Sequence, residues 1–592
     1  MAVETSSFAA IRREKRPYVD KTRFLPTVLE NGIYAQLIAR PPRFGKTLFL
    51  DTLRTFLSVD PERPGDTTLQ RELFEGLDVL QDETFCRRCM GQVPVLYLSL
   101  AEVAGSSFGE AYLSLADRLC AAARMHEYLL ASPRLSENEK IQLRRYASPD
   151  FMADTANMLA VEWFARELVT CLAKHFDRPC VFLVDEYDAP LVRAAAGGYY
   201  EEMRTFLRGF LSILQPEGGE LVHGLPVVSK SVLTGSLWLG LESTVTDASN
   251  IVGRTVGSPN AFRSDAAIGF TESEVSVLLE QCGLREKTDE VMRWCGGYHV
   301  GGETICRPGD VLAFCGAALG NDALQMIEPQ GNALDTRGNE ILVEFLEDLS
   351  EADAERLQIL VDGGAVEFAV REQLSYAELA DRPTKNYWAL LLFFGCLTAA
   401  EYVERGRCRL RIPNEGMRRF VRDRIRARFS RGNRDFDRCG RELAEAALLG
   451  DLDSMQTVLD PLLRMHVSVG ERTDDPSEKH FSDLLSSLLA SVGGMIRDFR
   501  FHPGAGESAA TVLFTSGNDA PGTGVVLNMK RARNPAELTC SARDALEQIE
   551  AKVCGEILSS MRCRSYYAYG LAFCGKHCEV VGGTLQKVAR EA

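Results

Sequence analysis

One stretch of this chain limits the folds open to it more than any other. From Ile33 it reads IYAQLIA, an apolar run of strand character, then RPPRFGKT, then LFLDTLRTFL, whose apolar side chains recur at helical spacing. A strand that feeds a glycine turn and then a helix is a phosphate-binding unit. Successive backbone N–H groups at the helix N-terminus wrap a phosphate, a lysine neutralises its charge, and a hydroxyl residue holds Mg2+. Such units sit in parallel sheets covered by helices, so an α/β architecture is expected for the first part of the chain. Gly45, Lys46 and Thr47 supply the end of the loop, but the glycine expected five residues before Gly45 is Arg40. That position belongs to the turn leaving the strand, where a non-glycine fits if the loop bends differently. Pro41 and Pro42 stiffen the turn, and Arg40 and Arg43 offer cationic contacts. Gly-Lys-Thr recurs often by chance, so this half-motif is weak alone.

A second stretch strengthens it. CVFLVDEYD, from Cys180, is an apolar strand ending in Asp185 and Glu186. A carboxylate at such a strand tip can hold the shell of a Mg2+ ion while its neighbour polarises an attacking water. Alone, a buried strand that exits through acidic residues explains it equally well. Downstream of a strand–loop–helix unit in the right order, the catalytic reading is the better one. Two further buried strands are expected at VPVLYLSL (Val93–Leu100) and LPVVSKSVLTG (Leu225–Gly235). The latter brings Thr234 and Ser236 to where a polar group senses a terminal phosphate, although a turn of small residues explains LTGS as well. The Ala-, Leu- and Arg-rich sequence between Leu100 and Cys180 reads as a helical insertion.

The whole chain has 592 residues, enough for roughly three or four domains. Its formal charge of −16 argues against a chain coated in nucleic acid and leaves room only for a local basic patch. The run RFVRDRIRARFSRGNRDFDR, from Arg419, is read as a solvated helix face entering a linker in preference to such a patch. The 17 cysteines follow no paired framework, as expected for reduced thiols of a cytosol. Cys86 with Cys89, and Cys574, His577 and Cys578, each lack the second half of a zinc knuckle, so ordinary thiols are the preferred reading. No apolar stretch follows Met1, and the longest apolar run, YWALLLFFGCLTAA from Tyr387, has 14 residues. A membrane helix needs roughly 18 to 20. A cytoplasmic protein without a membrane partner is expected.

Other stretches join these: YVDKT at Tyr18–Thr22, LVDEYDAPL, GFTESEV at Gly269–Val275, GGYHVGG at Gly296–Gly302, YWALLLFFGCLT, and IPNE at Ile412–Glu415. With RPPRFGKT and LTGS they make the chain resemble the AAA-ATPase-like family whose members carry a C-terminal PD-(D/E)XK nuclease-like domain. Arginine in place of the first loop glycine looks like a trait of that family. The resemblance implies a P-loop NTPase parallel sheet with a helical insertion over 1–268 and a small helical lid-like region over 269–338. A helical or winged middle region follows over 339–432, then an α+β restriction-endonuclease-like domain over 433–592. SRGNRD also marks a boundary near Gly432–Asp435. ATP and Mg2+ are the implied ligands. Arg43, Phe44, Gly45, Lys46, Thr47, Asp185 and Thr234 would surround the nucleotide, with Thr47 and Asp185 on the metal and Lys46 and Glu186 catalytic. Asp20 and Lys21, just upstream, either approach the nucleotide or cap a helix.

An active PD-(D/E)XK site needs two or three carboxylates for a metal and a lysine to steady the attacking water. Glu478, Lys530 and Gln548 match the family pattern, but Ala509 stands for its arginine, Thr511 for its aspartate and Asn528 for its glutamate. Neutral groups do not hold Mg2+ against water, so this domain is expected to keep the fold without the chemistry. The resulting expectation is an ATP-binding NTPase, a slow ATPase driving conformational switching. Its rivals are a scaffold with a structural nucleotide that grips DNA or protein through the C-terminal domain, and an active metal-dependent nuclease. Arg254, a lone arginine after the sensor strand, is the candidate arginine finger, and oligomeric state is left open.

Overall fold

The computed structural model describes residues 7–215, 221–222, 224–239, 251–256, 268–300, 303–319, 342–343, 345–346, 351–361, 363–370, 373–374, 387–404, 407–430, 434–466, 481, 484–485, 488–489, 492, 496–502, 510–516, 522–552, 563, 565–574 and 577–585. The chain forms two compact units, Met1–Arg422 and Asp423–Ala592.

A parallel sheet organises the first unit. Its strands are β1 (Ala35–Ala39), β2 (Val95–Ser99), β3 (Cys180–Asp185), β4 (Val228–Gly235) and β5 (Ile251–Arg254), in the spatial order β2-β3-β4-β1-β5. Every neighbouring pair runs parallel. β1 and β3 are buried at each position, which is why both read as continuous apolar runs rather than alternating ones. The chain begins in the sheet at β1, jumps to the β2 edge and returns through β3, so β4 is laid between β1 and β3. The strand ends that carry Ala39, Asp185 and Gly235 therefore lie side by side, at the carboxyl edge where open α/β sheets bind ligands. β5 was not among the expected strands. It has four residues, and its Gly253 packs so closely under Trp238 that a Cβ would lie 2.4 Å from the indole. Four residues interrupted by a glycine are too short a run to announce themselves as a strand.

α1 (Lys46–Leu57) follows β1 directly. The expected helical insertion between β2 and β3 contains α2 (Phe108–Met125), α3 (Glu137–Tyr146) and α4 (Phe164–Phe176). Ser107 and Ser136 start the first two of these by accepting the N–H of Glu110 and Glu139.

The region expected to be a small helical lid over 269–338 also carries a small antiparallel sheet. Its strands are β6 (Phe270–Thr271), β7 (Tyr298–Val300) and β8 (Glu303–Cys306). α5 (Glu272–Gln281), α6 (Thr288–Cys295) and α7 (Pro308–Leu319) pack with it around Val275, Leu278, Val291 and Val311. Thr271 and Glu274 form a capping box at the start of α5. Further on, β9 (Val366–Ala369), β10 (Thr398–Glu404) and β11 (Arg407–Arg411) form a second antiparallel sheet, with β11 central. The apolar run from Tyr387 begins with α8 (Tyr387–Phe393), buried at every residue, and continues into β10. The basic run from Arg419 lies on helices Glu415–Ser430 and Arg434–Leu449; of the boundary expected near Gly432–Asp435, residues 432–433 fall outside the described residues and Arg434 and Asp435 open the second of these helices.

The second unit is an α+β body. β12 (Ile496–His502), β13 (Ala510–Ser516), β14 (Thr523–Arg531), β15 (Ser565–Cys574) and β16 (His577–Leu585) lie in sequence order. β14 and β15 run parallel, with α9 (Leu538–Lys552) between them in sequence, and the other pairings are antiparallel. Among the described residues no helix is long and apolar enough to cross a membrane.

Candidate nucleotide site

The loop after β1 has the backbone its sequence demands. Gly45 has φ +93 and is the N-cap of α1, with no side chain capping the helix, so the first-turn N–H groups are left to other acceptors. Arg43, at φ +67, also adopts the left-handed conformation that costs a side-chain-bearing residue about 1–3 kcal/mol. Arg40 is almost wholly buried, beneath the loop rather than in the cavity above it. Its Nη1 donates to the carbonyls of Ala39 at 2.9 Å and Arg254 at 3.2 Å, tying the exit of β1 to the end of β5. It is a structural plug and not the cationic contact expected. Arg254 itself contributes that carbonyl.

Lys46, Thr47, Asp185 and Glu186 come together across 138 residues of sequence. Thr47 Oγ1 donates to Asp185 Oδ2 at 2.8 Å. Lys46 Nζ lies 3.0 Å from Glu186 Oε1 and donates to the carbonyl of Arg40 at 2.8 Å. Glu186 has φ +51, a strained backbone at the turn after β3. Thr234, fully buried on β4, donates to Asp185 Oδ1 at 2.6 Å. Thr234 thus orients Asp185, and neither residue is on the cavity wall. Burial raises the Asp185 carboxyl, the charge of Glu186 adds to this, and the hydroxyl donors oppose it. The donor set, one hydroxyl and one carboxylate on adjacent hard oxygens, fits Mg2+, which takes one or two protein ligands and completes its shell with phosphate and water.

Sequence reasoning passed over the rest of the turn after β3. Asp188 Oδ2 accepts the N–H groups of Ser236 and Leu237 at 2.9 and 2.8 Å, and the Tyr187 hydroxyl donates to the Leu237 carbonyl at 3.0 Å. Together they lash the chain leaving β4 to the chain leaving β3. Gly235 makes the approach possible, since a Cβ there would lie 2.4 Å from Asp188 Oδ1. Ser236 contributes its backbone to this clamp. The juxtaposition of the DEYD and TGS words was the available signal.

Above the loop opens a cavity of about 590 Å³. Gly45, Lys46, Thr47 and Glu186 form its polar end, and Ile11, Val19, Phe270, Leu278 and Leu312 an apolar wall. Phe270, Leu278 and Leu312 come from the region after the sheet, which closes over the loop. Arg43 Nη2 donates to the Gly309 carbonyl at 2.9 Å and Gly309 N–H donates to the Arg43 carbonyl at 3.0 Å. Phe44 is buried against Tyr298, so its backbone is what it presents to a ligand. Asp20 accepts from Thr22 and from the N–H of Asp78, fastening a turn. Lys21 reaches the cavity wall but is held by both Glu274 oxygens, at 2.8 and 2.6 Å.

In the second unit, Thr511 Oγ1 donates to Asn528 Oδ1 at 3.2 Å, and Asn528 Nδ2 donates to the Ala545 carbonyl at 2.8 Å. Lys530 pairs with Asp544 at 3.2 Å, and Gln548 stands half-buried on α9. Glu478 and Ala509 lie outside the described residues. The Cys86 thiol donates to the Val79 carbonyl and the Cys578 thiol faces Asp460.

Residues 2–236 match the profile of a family described as predicted AAA-ATPases. That span contains both motifs and the β4 threonine. An uncharacterized protein in the vnfD 5' region of Azotobacter chroococcum mcd 1 is 25% identical over 526 residues, covering 87% of each chain. A Walker-type ATPase of Pyrococcus abyssi aligns in structure with a TM-score of 0.36 and 15% identity, covering 71% of this chain and all of that one.

Proposed function

We propose that the protein binds Mg·ATP at the β1–α1 loop and hydrolyses it slowly, using the nucleotide to bias the arrangement of the regions that follow the sheet. The observation that carries this is the convergence of Thr47 on Asp185 at 2.8 Å and of Lys46 on Glu186 at 3.0 Å. The phosphates would lie on the uncapped amides of α1, and the base against the apolar wall. Thr47, on the cavity wall, would hold Mg2+, with Asp185 hydrogen-bonded behind it to hold the ion's water shell, and the ion when bound supplies positive charge to the phosphate oxygens. Lys46 would exchange its carbonyl partner for phosphate. Glu186, released from Lys46, would accept a hydrogen bond from the attacking water and orient it. The need to break that ion pair first is a reason for slow turnover.

Calorimetric titration with Mg·ATP and a phosphate-release assay test this. Lys46→Ala is expected to weaken binding by about tenfold to a hundredfold, the worth of a charged hydrogen bond of ~1.5–3 kcal/mol. Glu186→Gln is expected to keep binding while turnover drops about a hundredfold or more. Parent-like behaviour of both variants places the site elsewhere.

For the second unit we propose a nuclease-like fold without metal chemistry. Asn528 is neutral, buried and engaged on both its oxygen and its nitrogen. DNA or protein is the class of partner such a body would grip.

A further inference from the structure

We propose that Tyr298 is a positioning residue for the phosphate loop, through which the nucleotide pocket and the Tyr387–Arg411 region set one another's arrangement; this rests on the nucleotide reading above. The Tyr298 ring meets Phe44 edge-on, with centroids 5.1 Å apart and planes at 86°. Its hydroxyl donates to the Gly395 carbonyl at 3.0 Å. Gly395, at φ +80, lies against the other end of the loop, where a Cβ would be 3.0 Å from Pro41 Cβ. Pro41 and Phe44 therefore rest on one turn, the first directly and the second through Tyr298.

The neighbours of Tyr298 leave it little freedom. Gly297 has φ +79, and a Cβ there would stand 2.1 Å from the Pro413 carbonyl oxygen. Asn414 Nδ2 donates to the Gly296 carbonyl at 2.7 Å, and the His299 N–H donates to Thr398 Oγ1 at 2.8 Å. Lys46 Nζ completes the route, since it lies 3.4 Å from the Pro41 carbonyl as well as beside Glu186. A phosphate that draws Lys46 away changes what holds Pro41, and the Tyr298 hydroxyl on the Gly395 carbonyl is what keeps the Gly395 turn seated against Pro41, so the shift passes to that turn only while this bond is made. By linkage, a bias at Gly395 returns to the nucleotide as a bias in its affinity.

The test compares the full chain with Tyr298→Phe, which keeps the ring and removes the hydroxyl. Mg·ATP affinity is measured by calorimetry and amide hydrogen exchange is followed over 387–404. In the parent, Mg·ATP is expected to change exchange there by about fivefold or more. In Y298F, binding is expected to stay within about threefold of the parent while that response is lost. Phe44→Leu, which removes the aromatic partner from the other side, is expected to abolish the response too and serves if Y298F does not fold. A full response in a binding-competent Y298F overturns the proposal, and so does a parent that binds without responding. Joint loss of binding and response in Y298F also overturns it, because Tyr298 would then only build the pocket. A parent that binds no nucleotide overturns this and the nucleotide reading together.

Discussion

The two units set polar side chains at strand ends to opposite uses. In the first, Lys46, Thr47, Asp185 and Glu186 collect fixed charges of both signs beside a helix start that no side chain caps. In the second, Asn528 spends its oxygen on Thr511 and its nitrogen on α9, and Lys530 is matched by Asp544 at the surface. One arrangement keeps binding capacity in hand, and the other has turned it inward to join a sheet to a helix. What separates a site from a structural network is therefore whether the partners already present are of a kind that a ligand can displace.

The comparison breaks most sharply at Asn528. Asn528→Asp would put a buried carboxylate against the Ala545 carbonyl that now receives a hydrogen bond, and a loss of about 3 kcal/mol is expected from an uncompensated buried charge. Chemical denaturation of the full chain, followed through the second unit, measures it. A variant as stable as the parent that also takes up Mn2+ would show that the second unit has kept a metal site. Asp188 gives an intermediate effect in the first unit. Its carboxyl is pushed up to about 7, by burial first and by the charge of Glu186 second. The folded chain then holds this proton more tightly than the unfolded chain, where the group titrates near 3.9. That stabilisation is complete below about pH 4 and is lost as the pH rises towards 7. Asp188→Asn should flatten the fall in stability between pH 5 and 7, and an unchanged slope would remove Asp188 from the account. Lys530→Ala should matter least, at most about 1 kcal/mol, because its pair is partly exposed, with side chains 31% and 50% accessible.

How much could be read beforehand follows the range of the interactions. The β1–loop–α1 unit and the β3 tip were legible because each is a local pattern with its own chemistry. The order of those words also foretold a parallel sheet. β5 was not legible, since Gly253 is explained only by Trp238 lying over it. The cavity wall from Phe270, Leu278 and Leu312 was equally hidden, because nothing in a short window says which face an apolar helix will cover. Within DEYD itself nothing marks a role for Asp188. Its meaning lies in two amides 48 and 49 residues further on.

Arg40 has a practical consequence. Someone tidying this loop towards the common pattern would write glycine there, and would delete the guanidinium that bridges the carbonyls of Ala39 and Arg254. The edge strand would lose a tie to β1 beyond its own ladder, and the loop a support from beneath. A search that insists on that glycine would discard such chains for the same reason, mistaking a rivet for a flaw.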